Sequence, residues 1–521
     1  MSRSHRALLI QLFLLLLLVC IAAPRAAAQS EFRSFNPVAA EMAEHTRSIN
    51  FVWTLIAGFL VMFMQAGFAL METGLCRAKN AAHTMSMNFL VYSIAMMAFF
   101  VCGFAFMCGG VNGVPGGPGG PVGLGLNTST LPVLNHMVSI PIGGKQWGIF
   151  GFSGFFLTGN VSKLAGALIW FFYMMVFMDT AATIPTGALA ERWKFRNFAI
   201  FSACVGGFIY SAYGCWMWGG GWLSQLGRQA GLGHGAVDFA GSSVVHLQGG
   251  AMALAMVVQI GPRIGKYDED GNPRPIFGHH MPMVMFGTLL MAFCWFGFNA
   301  GSTLAGVSSR IGLIAVNTML ASGASVVVAA IYMWKVYGKP DPSMMCNGML
   351  GGLVAITASC AFVAPISAVI IGLVAGLIVV LSVLTMEKRG IDDPVGAISV
   401  HGVAGLWGLL AVGLFADGTW PTEGFNGVSG GVRGLFYGDG KQLLAQLIAA
   451  AVCIGWCLIV GGGVFKLIGM IVGSNRVSPE VELAGLDIPE MGAPGYPEFI
   501  TNMSMEQVSH SEVIAARSKM R

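Results

Sequence analysis

The sequence predicts an all-α polytopic membrane protein, and three observations lead there. Apolar residues make up 55% of the 521 residues and charged residues only 10%, which leaves too little polar surface to cover a water-soluble globule. The apolar residues gather in runs of membrane-spanning length. The basic residues fall in short clusters between those runs and form no single face, so the net charge of +4 reads as a topology signal and gives no sign of nucleic-acid binding.

Taken in order, the first element is "MSRSHRALLIQLFLLLLLVCIAAPRAAAQS". Its basic start, apolar run from Ala7 to Ala23 and small residues Ala26 and Ala28 have the form of a secretory signal cleaved after Ala28. Residues 29–475 then form the membrane domain and 476–521 a C-terminal tail. A helix needs about 20 apolar residues to cross a hydrocarbon core of about 30 Å. Eleven segments qualify, near Phe51 to Met71, Met87 to Phe106, Leu164 to Leu189, Phe198 to Trp218, Ala240 to Ile260, Met281 to Asn299, Ile311 to Trp334, Met345 to Phe362, Ile366 to Thr385, Val400 to Leu414 and Leu443 to Val472.

If the first span runs inward, the cytoplasmic connections hold Arg77 and Lys79, then Arg192, Lys194 and Arg196, then Arg263, Lys266 and Arg274, then Lys335 and Lys339, then Lys388 and Arg389. The opposite connections are longer and less basic. The positive-inside rule therefore agrees with the signal sequence, placing the N-terminus outside and the C-terminus in the cytoplasm of a plasma or bacterial inner membrane. The external connection at about 108–163 is rich in glycine and proline, predicting irregular structure, and carries sequons at Asn127 and Asn160. The tail reads as polar, with short ordered pieces.

The eleven cysteines are scattered singly, most within apolar runs, as packing residues are. Neither a metal-ligand set nor a nucleophile constellation appears, so the sequence predicts no enzyme, no cofactor and no metal site.

Intramembrane histidines are expensive and face the bundle interior. Two stand out, His246 in "DFAGSSVVHLQGG" and His401 in "DDPVGAISVHGVAG". Both stretches fit D-x-x-G-x-x-x-V-H-x-x-x-G, matching Asp238, Gly241, Val245, His246 and Gly250 to Asp393, Gly396, Val400, His401 and Gly405. The fifth and tenth spans carry them, so the repeat contains five helices. A repeat with an odd number of helices is inverted in the membrane, with the working site near the midplane. Eight helical residues at about 1.5 Å each put either histidine roughly 12 Å from its own aspartate, approaching the other from the opposite side. The aspartates read as helix N-caps, Asp238 also as a cation attractor. A symmetry-related histidine pair can share a proton and stay neutral overall.

At these residues the chain resembles the ammonium transporter family (Amt/Mep, related to Rhesus proteins). "DFAGSSVVH", "GALAERWKF", "WFGFNAGS", "CNGMLGGLVAITA" and "VHGVAGLWG" occur in the family's order, and the resemblance covers about Phe51 to Tyr496. It implies a homotrimer of eleven-helix protomers, an inverted five-helix pseudo-repeat plus an eleventh helix, each with its own narrow apolar pore for ammonium or ammonia. Trp218 and Ser302 then hold the external cation site with Phe177 beside it. Phe177 and Phe298 form the gate, His246 and His401 the proton relay below it, and Asp238 the helix start. Lipid around the bundle and a PII-type regulator on the cytoplasmic tail complete the implied partners.

The chain departs from the family pattern in places. The Trp218-to-Asp238 connection is long. Asp179 lies inside the third span, suited to a functional site or to inter-helix hydrogen bonding. Met491 and Pro489 replace a histidine and a phosphorylatable threonine of the family's tail. Two other functions compete: an ammonium sensor with the same fold, and a Rhesus-type channel for neutral ammonia or small solutes.

Overall fold

The computed structural model describes residues 38–497 apart from 115, 116, 118 and 127–132. The expected signal sequence at 1–28, the Asn127 sequon and the tail beyond 497 lie outside the described residues. Among those described, ten helices are long and apolar enough to cross a membrane. They are Val38–Leu75, Ala78–Gly113, Ala165–Ala188, Phe195–Ala230, Ser242–Ile260, Met281–Thr303, Ile311–Tyr337, Pro365–Lys388, Ile398–Phe415 and Gly440–Ile471.

The eighth of the eleven expected spans is shorter than the sequence suggests. Helix Pro342–Thr357 has 16 residues and starts on Asp341, whose carboxylate accepts from the Ser343 and Met344 amides at 2.8 and 3.2 Å. Its C-terminal groups turn to the fifth span: the carbonyls of Thr357 and Ala358 accept from Ala240 and Phe239, and the Ala358 amide donates to Ser242 Oγ at 2.7 Å. Those bonds take the groups that another helical turn would need. Buried within the bundle, this helix does not have to match the bilayer thickness by itself. It is counted below as the eighth span and Gly440–Ile471 as the eleventh.

Small residues set the closest approaches, as they do where helices pack without a hydrophobic gradient between them. The first and sixth spans meet at Gly67 and Gly287, where a Cβ on either residue would lie 2.9 or 2.7 Å from the other's carbonyl oxygen. The fifth and tenth spans meet at Gly250 and Gly402, where a Cβ on Gly250 would fall 2.1 Å from the Gly402 nitrogen. First with sixth and fifth with tenth are corresponding pairs of a five-helix repeat.

The long connection before the third span is more ordered than its composition predicts. Strands Met137–Ile142 and Lys145–Gly151 form an antiparallel hairpin across Gly143–Gly144. Both glycines have positive φ, +60° and +74°, as a tight two-residue hairpin turn requires. This hairpin packs on the other long connection, which forms helix Trp222–Ala230. Gln229 Nε2 donates to Gln146 O at 2.7 Å, and Trp216 Nε1 donates to Ile149 O at 2.9 Å.

The opposite end of the bundle holds the charged connections and the tail. Buried Arg263 pairs with Asp392 at 2.9 Å and lies 3.4 Å from Glu191, which also pairs with Arg77. Burial alone would push the Asp392 carboxyl up; hydrogen bonds and charge from Arg263, with Arg192 beyond, hold it well below the usual carboxylate range. The short helix Pro479–Ala484 and the turn Asp487–Met491 fold back on this end. The Leu486 amide donates to Asn80 Oδ1 and the His83 amide to Asp487 Oδ1, each at 2.9 Å.

Candidate functional site

The five positions of the repeated motif occupy corresponding structural places. Asp238 is 2% exposed and accepts five hydrogen bonds: Gly241 and Ser242 N–H on Oδ1, and Ser243 N–H, Ser243 O–H and Val244 N–H on Oδ2, at 2.7 to 3.0 Å. Asp393 accepts the Gly396 and Ile398 amides at 3.0 and 2.7 Å. Gly241 and Gly396 both take positive φ, +114° and +78°, which a side chain would resist. Each helix then opens with a wide π-type turn, Ser242–Leu247 in one and Ile398–Val403 in the other, and each turn contains its histidine. Such turns recur at functional sites. Gly250 and Gly405 end the motif where the two spans touch: a Cβ on Gly405 would lie 2.6 Å from Ser242 O.

The result is a histidine pair at the bundle centre. His246 Nδ1 and His401 Nδ1 are 3.1 Å apart, with ring centroids 5.2 Å apart and nearly parallel. A hydrogen bond between two Nδ1 atoms requires one ring to carry its proton there and the other to accept. His246 is fully buried and its Nε2 has no hydrogen-bond partner among the described residues.

Aromatic rings continue the column toward the hairpin end. His246 stacks on Phe298 at 5.3 Å and on Trp295 at 5.2 Å. Phe298 stacks on Phe177 at 4.1 Å with 24° between planes, and Trp218 meets Phe177 edge-on at 6.0 Å. Both phenylalanines are fully buried. Above them opens a cavity of about 990 Å³, lined by Trp218, Phe177, Ser302, Asp238 and Tyr173 among others. Asp238 and Glu423 are the acidic residues among its described lining residues, which include no lysine or arginine. Trp218 is fixed by a 2.6 Å hydrogen bond from its Nε1 to Asp238 O. Ser302 donates to Phe298 O at 2.7 Å, which leaves its oxygen free to accept.

All seven sequence-predicted site residues therefore fall on one column. Three further residues join it. Tyr173 lies one turn before Phe177, with its ring 4.8 Å away and its hydroxyl 3.2 Å from Ser302 Oγ. Trp295 anchors its Nε1 on Thr357 Oγ1 at 2.9 Å. Phe68 packs against His401 at 5.9 Å on the tail side. Spacing from Phe177 and Phe298 was a signal for the first two; Phe68 had none. Asp179 stands off the column: it is 2% exposed, Oδ1 has no hydrogen-bond partner among the described residues, and it is not among the cavity's lining residues.

A family profile described as Ammonium Transporter Family matches residues 52–496. The chain belongs to this family. It is 46% identical to the ammonium transporter Amt2 of Archaeoglobus fulgidus over 455 residues, covering 87% of this chain and 89% of that protein. It is 35% identical to the ammonium transporter Amt1 of Haloferax mediterranei over 467 residues, or 87% and 80% of the two chains. Among solved structures it resembles a sensor Amt protein, with TM-score 0.72, 33% identity and coverage of 86% and 99% of the two chains. It also resembles Candida albicans Mep2, with TM-score 0.69, 25% identity and coverage of 87% and 92%. This member of the ammonium transporter family is thus a multi-pass membrane protein with the aromatic and histidine column at its centre.

Proposed function

We propose that this protein moves ammonium across a membrane, recruiting the ion at the hairpin end and separating its proton from ammonia at the histidine pair. The column from Trp218 through Phe177 and Phe298 to His246 and His401 is the observation that carries the reading.

Each part has a physical reason. Two negative side chains and an aromatic face attract a small cation, the aromatic face by about 0.5 to 2 kcal/mol depending on desolvation. Ser302 Oγ accepts an N–H bond, which ammonium offers and potassium does not. The stacked gate and the dry column make passage of an intact charge costly, so an ion that can shed a proton has the advantage. His246 Nε2 is placed to take that proton while the Nδ1 atoms pass one onward to His401.

The same reading puts the hairpin end outside and the basic connections and tail in the cytoplasm of a plasma or bacterial inner membrane. It makes residues 29–475 the membrane domain after removal of 1–28. It also takes the working unit to be a homotrimer in lipid, with the tail as the docking place for a PII-type regulator. The packing of Asp487 and Glu482 on the cytoplasmic connections supports a regulatory tail.

The likeness to a sensor Amt protein favours a second reading, in which the same column binds ammonium and signals. Ammonium steps on proteoliposomes separate the two. Transport predicts current or uptake that saturates with ammonium; binding without either supports the sensor and overturns the transporter.

A further inference from the structure

We propose that Glu72 is the proton acceptor on the tail side of the histidine pair. The proposal rests on the reading of that pair as a proton path and adds the group that receives what the pair releases.

Glu72 lies in the last turn of the first span and is 2% exposed. A carboxyl at this depth is costly, and among the described residues it forms no ion pair. Oε2 accepts from Asn88 Nδ2 and Thr186 Oγ1, both at 2.7 Å. Oε1 faces Gly187, whose Cβ would lie 2.8 Å from it and 2.5 Å from Val395 Cγ2. The carboxyl thus borders the start of the span that carries His401. Phe68, whose ring packs on His401, precedes it by one helical turn, a rise of about 6 Å. The third span completes the position, since Ile184 fills the space over Gly249, three residues after His246.

A competing acceptor is Asp393, a carboxylate close enough for its charge to act on Glu72. Its oxygens accept the amides that start the tenth span, so protonating it would disturb the helix that positions His401. Glu72 bears no such duty. A carboxyl held by an amide and a hydroxyl without a counter-ion takes up and returns a proton without breaking an ion pair.

The step balances simply. An N–H bond of ammonium breaks at the outer side of the pair and its electrons stay with ammonia. The proton that His401 gives up forms an O–H bond on Glu72, and Glu72 then releases a proton to cytoplasmic water or buffer. Ammonia follows through the apolar lumen.

The test uses full-length protein in proteoliposomes, with charge movement and internal alkalinisation recorded on the same ammonium pulse. Glu72→Gln keeps the shape and an acceptor for Asn88 and Thr186. Its expected result is a current about tenfold or more below wild type with ammonia entry retained, while Glu72→Asp keeps the current. Wild-type current in Glu72→Gln overturns the proposal, and so does equal loss of current and ammonia entry in both variants, which marks a structural tie. Should Glu72→Gln not assemble, pH-difference infrared spectra of wild type and Glu72→Asp decide. A titrating carboxyl band that differs between them supports the proposal, and an unchanged band overturns it. Absence of ammonium current and uptake in wild type refutes the transport reading itself and the proposal with it, whereas a defect-free Glu72→Gln refutes the proposal alone.

Discussion

Replacing Gly250 with alanine should uncouple the two histidines without touching either. The added Cβ would sit 2.1 Å from the Gly402 nitrogen, 2.4 Å from Gly402 Cα and 3.0 Å from the His401 carbonyl carbon, where ordinary contact begins near 3.4 Å. All three atoms are backbone, so no side chain can swing aside and the fifth and tenth spans must part by more than an ångström. The Nδ1 separation of 3.1 Å leaves less than that before the hydrogen bond is lost. Overpacking of this kind costs about 1 to 3 kcal/mol, and the lost bond about 0.5 to 1.5 more. Gly463→Ala is the control: nothing lies within 4 Å of its added Cβ, and alanine favours a helix by about 0.5 to 1 kcal/mol over glycine. Thermal unfolding in detergent and ammonium current in proteoliposomes are the assays. Gly250→Ala should unfold earlier and lose most of its current, with Gly463→Ala at least as stable as wild type and fully active. A Gly250→Ala protein with wild-type current would refute the argument that this glycine contact holds the relay.

Two further outcomes follow from the geometry. Ser302→Ala removes an acceptor for a charged donor, a bond type worth about 1.5 to 3 kcal/mol; half-saturating ammonium should rise about tenfold or more with maximal current little changed, measured by titration of the current. Asp392 lies below the ordinary carboxylate range in the fold, so its contribution is fully present above the unfolded pKa near 4 and is lost only as pH falls through the depressed folded value. The melting temperature should therefore show no step from this pair between pH 5 and 8. Asp392→Asn, which takes from buried Arg263 the carboxylate it pairs with at 2.9 Å, should lower stability by about 3 to 5 kcal/mol at every pH in that range.

Much of the site was legible because it is written in a local repeat. An aspartate, a glycine and a histidine at fixed spacing dictate a cap, a left-handed residue and a depth, and these depend on neighbours along the chain. What the chain alone could not fix are contacts set by packing between distant elements. Phe68 joins the column only because the first span leans on His401, and among 35 phenylalanines no local feature marks it. The eighth span ends early because its last carbonyls pair with Phe239 and Ala240, more than a hundred residues away. In the long connection before the third span, glycine content predicted irregularity, yet Gly143 and Gly144 serve as the turn of a hairpin. Asp179 was visible as a charge in an apolar run; its place off the column was not.

The most direct measurement compares currents from ammonium, methylammonium and potassium in wild type and in His246→Ala and His401→Ala. A proton path through the pair predicts current with ammonium, less with methylammonium and none with potassium in wild type. In the variants, ammonium current falls sharply or potassium begins to pass. Unchanged ammonium current with potassium still excluded in both variants would contradict the account.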